Sequence, residues 1–310
     1  MKRWMTLLLT LFMLMTSAAA KIEYRHPVTD GDLSVQAGLN PDWTNILLLG
    51  ADTREDEEND GRSDVMLICS LNRETGAVRL TSLSRDMWVR IAGTEHSDRI
   101  NTAFRYGGPD LAMKTVNEVL QLNIEHYVAV NFYGVCDVVD AIGGIELELS
   151  KAEVGTVNRT VNWKYGSVKG ERLVYQEGKP VTLCGAQALS YARIRKLDND
   201  LGRNSRQRNV IMAVARKTMG LSLGEQMAFV KTCLEHVTTN LSLTDIMTMG
   251  FSVLSGGLED MEQLALPTDF SYANEDGRSV LHFDKEQARR ELHGFVYDAM
   301  PPVDDLAEQE

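Results

Sequence analysis

Ile46-Leu47-Leu48-Leu49 is an unbroken apolar run closed by Gly50. A strand with one wet face alternates apolar and polar residues, whereas one apolar at every position is buried on both faces. The run therefore predicts a strand in the middle of a sheet covered on two sides. Further strand-like segments are Val65 to Leu71 and Ala77 to Leu83, joined by the turn Asn72-Arg73-Glu74-Thr75-Gly76. Trp88 to Ile91, Tyr127 to Phe132, the alternating Ile145 to Leu149, and Leu264 to Pro267 follow. Helical patterns fall between them. One helix opens at Pro109 with Leu111, Val116, Val119 and Leu120 on a face, and Val135 to Ile142 is stopped by Gly143-Gly144. Gly185 to Ile194, residues 204–219 and Asp284 to Tyr297 read as helices, and Ser222…Glu225 and Ser242…Asp245 as capped helix starts. Residues 151–182 read as irregular. Strands alternating with helices predict an α/β fold, a three-layer α/β/α sandwich around a central mixed sheet.

The ends of the chain read differently. Lys2 and Arg3 precede the apolar and threonine run Trp4 to Met15, and Ala18 and Ala20 fit a small-residue cleavage site. Residues 1–20 are expected to be a signal peptide or short membrane anchor, 21–42 a linker, 43–300 one folded domain and 301–310 a disordered tail. The folded part is then extracytoplasmic, in the cell envelope or at a membrane surface. The four cysteines lie 67, 48 and 49 residues apart, without CxxC or zinc spacing, and read as buried free thiols. A formal net charge of −12 argues against a nucleic-acid partner. The six histidines are scattered and read as packing or surface residues.

Residues 51–105 carry eight arginines and no lysine: Arg54, Arg62, Arg73, Arg79, Arg85, Arg90, Arg99 and Arg105. Residues 193–208 add Arg193, Arg195, Arg203, Arg206 and Arg208. A planar guanidinium fork grips phosphate oxygens where a lysine offers only a point charge. Arg73, Arg79 and Arg208 are expected to form surface salt bridges, and the arginines just past strand ends or in loops beside aspartates to bind phosphate. Asp52 follows the first strand and Asp64 opens the second. Two carboxylates at strand ends can share one Mg²⁺ with substrate phosphates. Asp86, beside Arg85, is a candidate to orient that arginine or to act as base. The strands 46–49 and 127–132 and the face of Val210, Ile211 and Val214 are richer in apolar residues than a purely ionic site needs. They predict a deep apolar cavity ending at the arginines.

Several short strings occur in order. Gly50-Ala51-Asp52-Thr53-Arg54, Arg62-Ser63-Asp64-Val65-Met66, Ser84-Arg85-Asp86 and Arg99-Ile100-Asn101 come first. Tyr106-Gly107-Gly108, Val130-Asn131-Phe132 and Asp140-Ala141-Ile142-Gly143-Gly144 follow. The series ends with Ala186-Gln187-Ala188-Leu189-Ser190-Tyr191-Ala192-Arg193-Ile194-Arg195 and Asp200-Leu201-Gly202-Arg203-Asn204-Ser205-Arg206-Gln207. This order, across residues 45–215, resembles the LytR-CpsA-Psr family of cell-wall glycopolymer ligases. The resemblance implies Mg²⁺ on Asp52 and Asp64, and a pyrophosphate site of Arg54, Arg62, Arg85, Arg99, Arg193, Arg195, Arg203, Arg206 and Gln207. Arg85, Asp86 and Arg62 would be nearest the chemistry. It implies transfer of a glycan phosphate from a polyprenyl-pyrophosphate carrier to a peptidoglycan hydroxyl, as in attachment of teichoic acid or capsular polysaccharide. Arg99 departs from the lysine usual there, and residues 151–182 match poorly. The same site could instead serve a pyrophosphatase, or a lipid-pyrophosphate-binding regulatory protein. The oligomeric state is not legible.

Overall fold

The structure is a computed structural model that describes residues 31–51, 61, 63–197, 200–256 and 261–298. The expected signal or anchor over 1–20 and the tail over 301–310 lie outside the described residues. Its centre is a six-stranded mixed sheet in the order β10-β3-β2-β1-β6-β9. The strands are β1 Trp43–Ala51, β2 Ser63–Asn72, β3 Val78–Leu83, β6 His126–Asn131, β9 Val237–Thr239 and β10 Glu262–Leu266. The β1, β2 and β3 strands run antiparallel in sequence, while β6 joins β1 and β10 joins β3 in parallel. Small pairs flank the sheet: β4 Trp88–Arg90 with β5 Ser97–Arg99, β7 Ile145–Leu147 with β8 Val181–Leu183, and the hairpin β11 Ser271–Glu275 and β12 Arg278–His282.

Helices cover both faces of the sheet. They are α1 Thr102–Leu120, α2 Phe132–Ala141, α3 Lys151–Thr160, α4 Gly185–Ala192, α5 Asp200–Met219, α6 Leu223–His236, α7 Leu243–Gly256 and α8 Lys285–Tyr297. Alternate residues of the central strands serve the two faces. Leu47, Leu49, Met66, Ile68 and Ala129 pack into a core with α1 and α8, which contribute Met113, Val116, Leu120, Leu292 and Val296. A second core joins α2, α3, α4 and α5 through Val139, Val157, Leu183, Ala188 and Val210. Within α1 the chain breaks helical geometry at Gly107 and Gly108, so Pro109 opens the following helical stretch as its missing N–H allows. At φ +69°, Gly108 takes a conformation that a side chain would strain.

Residues 151–182 are more ordered than the irregular reading implied. Ser150 and Glu153 form a reciprocal capping box that starts α3. Its polar sequence buries only Val154, Thr156 and Val157, which is too few for a visible apolar period. The later part of the expected linker is also docked. Leu33 packs on the main core, its carbonyl accepts from Asn117 Nδ2 at 2.9 Å, and Gln36 N–H donates to the Leu122 carbonyl at 2.8 Å.

Candidate active site at the mouth of an apolar cavity

The face of the sheet opposite the main core lines a cavity of about 570 Å³. Its floor is Ile46, Leu48 and Gly50 of β1, Val65, Leu67, Cys69 and Leu71 of β2, and Val128 and Val130 of β6. Val210, Ile211 and Val214 of α5, Phe229 and Cys233 of α6, and Met249 and Val253 of α7 close it. The apolar run of β1 is thus covered twice, by packed core on one side and by this cavity on the other. Helices α6 and α7 supply much of the cover, although the sequence showed only their caps. Cys69 and Cys233 are free thiols in the cavity wall, and burial pushes each up to about 11.

The charged residues in the wall, Asp64, Arg193, Arg195 and Arg203, stand with Gln207. They gather where β1 and β6 end and β2 begins. Gly50 pairs with Val65 and Ala51 with Ser63, so Asp64 is the extra residue of a β-bulge. Bulges re-aim side chains at sheet rims. Glycine is required opposite it, since a Cβ at position 50 would lie 2.8 Å from the Val65 side chain.

Asp64 organises the cluster. Its Oδ1 accepts from Arg85 Nη1 at 2.6 Å and its Oδ2 from Arg195 Nη2 at 3.0 Å. Burial alone pushes this carboxyl up, but the Arg85 guanidinium, and then Arg195 and Arg203, outweigh it and hold it below the usual carboxylate range. Behind Arg85, Asp86 places Oδ2 3.5 Å from Arg85 Nε and Oδ1 3.3 Å from Arg99 Nε. Arg99 Nη2 also donates to the Ser279 carbonyl at 2.6 Å, and Leu281 N–H to the Asp86 carbonyl at 2.9 Å. The β11–β12 hairpin therefore braces this arginine–aspartate row, a role with no motif to announce it.

On the opposite side, Arg193 lies 4.1 Å over the Phe132 ring, and Arg195 is half exposed. Arg203 and Gln207 are buried on the first turns of α5. Arg206 is buried deeper: Nη2 donates to the Ile194 carbonyl at 2.9 Å, and Nη1 lies 3.6 Å from Glu153 Oε1. It fixes the bend that presents Arg193 and Arg195, and the cavity wall does not include it. Asp52, Arg54 and Arg62 lie outside the described residues.

Two of the arginines expected in surface salt bridges are half-buried. Arg79 donates to Glu262 at 2.7 Å and to the Val296 carbonyl at 3.0 Å, and stacks 5.0 Å from Trp43. Arg208 donates to Gln263 and Ser82, both at 2.7 Å. Each joins elements that the sequence left far apart.

In this α/β fold, guanidinium groups stand at the mouth of an apolar cavity. The chain belongs to the LytR_cpsA_psr family, whose model matches residues 9–293. It is 33% identical over 228 residues, 73% of this chain and 69% of the relative, to the polyisoprenyl-teichoic acid–peptidoglycan teichoic acid transferase TagU of Bacillus mycoides. The Enterococcus faecalis protein of that name is 33% identical, over 81% of this chain and 78% of the relative. Among solved structures, TagT bound to LI-WTA superposes with a TM-score of 0.65 at 26% identity, covering 90% of this chain and 98% of that one.

Proposed function

We propose that this chain is a phosphotransferase of the cell envelope. It moves a glycan phosphate from a polyprenyl-pyrophosphate carrier to a peptidoglycan hydroxyl, with a teichoic acid or capsular polysaccharide as cargo. The observation that carries this reading is the arginine-lined mouth set on an apolar cavity. An isoprenoid tail suits the cavity and a pyrophosphate suits Arg85, Arg193, Arg195 and Arg203. The names of the TagU relatives support the same chemistry.

The acceptor oxygen attacks the glycan-linked phosphorus. The bond from that phosphorus to the bridging oxygen breaks, and polyprenyl phosphate leaves as its anion. The acceptor proton passes to solvent or to a base. The arginines stabilise the charge that spreads over the phosphoryl oxygens. Asp86 faces two guanidinium groups, which suits orienting Arg85 better than accepting a proton.

Mg²⁺ fits the donor chemistry at the mouth: Asp64 is held as a carboxylate, a hard oxygen donor, and Asp52 would share the ion. Bound there, it would neutralise pyrophosphate charge. Export by the expected signal or anchor would put the reaction outside the cytoplasm at the membrane surface. Among the described residues no helix is long and apolar enough to cross a membrane.

The test is incubation with a synthetic polyprenyl-pyrophosphate glycan and a peptidoglycan fragment, with Mg²⁺ or chelator. Glycan phosphodiester on the fragment supports transfer. Free glycan phosphate irrespective of acceptor means hydrolysis, and no Mg²⁺-dependent product overturns the proposal.

A further inference from the structure

Beside Arg193 three aromatic rings meet. Phe132 and Tyr165 lie edge to face at 5.7 Å and 82°, and Tyr133 and Tyr165 at 5.1 Å and 62°. Phe132 is buried and lines the cavity mouth, with the Arg193 guanidinium over its ring. Tyr133 and Tyr165 are half-buried. Among the described residues neither phenol oxygen has a hydrogen-bond partner. Half-buried, both hydroxyls are open to solvent or a ligand.

The segment that carries Tyr165 has no regular secondary structure from 161 to 180, yet it is tied at several points. Asp140 accepts from Gly185 N–H at 2.7 Å through Oδ1 and from Val168 N–H at 3.4 Å through Oδ2. Gln187 Nε2 donates to the Glu171 carbonyl at 2.6 Å. Asn158 and Leu173 exchange two hydrogen bonds, at 2.9 and 3.0 Å. A Cβ at Gly166 would stand 3.2 Å from the Ala186 Cβ, so the segment lies directly on the start of α4. Exposed coil held this firmly keeps its aromatic rings in place without a ligand, which lowers the entropy cost of binding one.

We infer that Tyr133 and Tyr165 form a saccharide subsite, which takes the sugar attached to the phosphate held at Arg193. The inference rests on the proposed function and deepens it. A pyranose has C–H faces that stack on aromatic rings and hydroxyls that exchange hydrogen bonds with phenol oxygens. Through Phe132 the rings adjoin the guanidinium that would hold the phosphate, and the first sugar of a phosphate-linked glycan would follow that phosphate directly. A polyprenyl tail needs no polar group, and a bare phosphate needs no ring.

The test uses the full chain and two synthetic probes, polyprenyl pyrophosphate alone and the same carrier bearing one N-acetylhexosamine. Dissociation constants are compared for the native chain, Tyr165→Ala, Tyr133→Ala and Tyr165→Trp. The alanine variants should bind the sugar-bearing probe roughly tenfold more weakly and the bare carrier as the native chain does. Tyr165→Trp, which keeps a stacking face, should retain most of the sugar affinity. Equal loss on both probes would mean that the rings only support the fold, and no loss on either would mean that the sugar lies elsewhere. Each outcome overturns the subsite while leaving the carrier site standing. If the native chain binds neither probe, the proposed function fails with it.

Discussion

Two neighbouring residues of β6 separate cavity from core. Val128 faces the cavity, while Ala129, one residue on, faces the packed core against α1 and α8. Val128→Trp adds roughly 90 Å³ of side chain to empty space, and filling a cavity returns about 24 cal/mol per Å³, so the gain is at most about 2 kcal/mol. For a domain of this size that raises Tm by about 4–8 °C. Ala129→Leu adds less volume, but into close-packed surroundings, and should cost about 1–3 kcal/mol. Thermal unfolding measures both. The Trp variant has a second readout. Polyprenyl phosphate should raise the Tm of the native chain by mass action, and that rise should shrink in Val128→Trp because the tail has lost room. If Val128→Trp destabilises as much as Ala129→Leu, the cavity closes in solution. If it keeps the full ligand-induced rise, the tail binds elsewhere.

Other consequences can be measured directly. Asp64→Asn should abolish chelator-sensitive turnover, and Arg85→Lys should lower kcat together with kcat/KM, since lysine keeps the charge but loses the fork. Full activity in both would refute the ionic site. Arg79→Ala should cost about 1–3 kcal/mol in denaturant unfolding, since it removes a half-buried group that serves Glu262, Val296 and Trp43; the exposed Arg73→Ala should stay within about 0.5 kcal/mol. Burial pushes the His293 imidazole below its ordinary value, and its Nε2 lies 3.0 Å from the Leu120 carbonyl. The unfolded chain therefore takes up the proton first, and the stability held by neutral His293 above about pH 6.5 is lost as pH falls towards the folded value. The loss is at most about 1.4 kcal/mol per pH unit. His293→Gln should be less stable than the native chain at pH 7.5, and the gap should narrow towards pH 5.

Strands β1, β2, β3, β4, β6, β7 and β10 and most helix ends were legible because they rest on local chemistry, whereas the short β5, β8 and β9 and the β11–β12 hairpin carried no strand signal. Gly50 ends an apolar run, Gly143-Gly144 follows α2, and Ser222 with Glu225 caps α6. The cavity was legible only through an excess. Ile46, Leu48 and Gly50 look in sequence like any fully buried strand, and apolar side chains facing empty space read the same as those facing other side chains. The expectation came from that richness combined with arginines at the strand ends. What stayed hidden were relations between distant segments. The bulge that re-aims Asp64 depends on a register between β1 and β2, and the hairpin behind Asp86 and Arg99 lies 180 residues further along the chain from Arg99. Helix α3 stayed hidden for a local reason: a capped but polar helix carries little apolar period.

The arginines show where residue type stops being informative. A guanidinium has five N–H donors in a rigid plane, which suits phosphate oxygens and equally suits backbone carbonyls at bends and strand edges. The fold uses both capacities. Arg79, Arg206 and Arg208 spend theirs on Val296, Ile194, Gln263 and Ser82 inside the protein, and Arg99 divides its donors between Ser279 and Asp86. Arg193 and Arg195 keep exposed donors at the mouth. The two groups depend on each other: the bend carrying Arg193 and Arg195 is held by Arg206 through the Ile194 carbonyl. A short cationic segment would otherwise recoil from its own charge. Asp64, bonded to Arg85 and Arg195, offsets that repulsion in the resting protein. The pyrophosphate of the proposed substrate would add negative charge to a cluster that Asp64 already orders, and would leave the arginines little reorganisation to undergo.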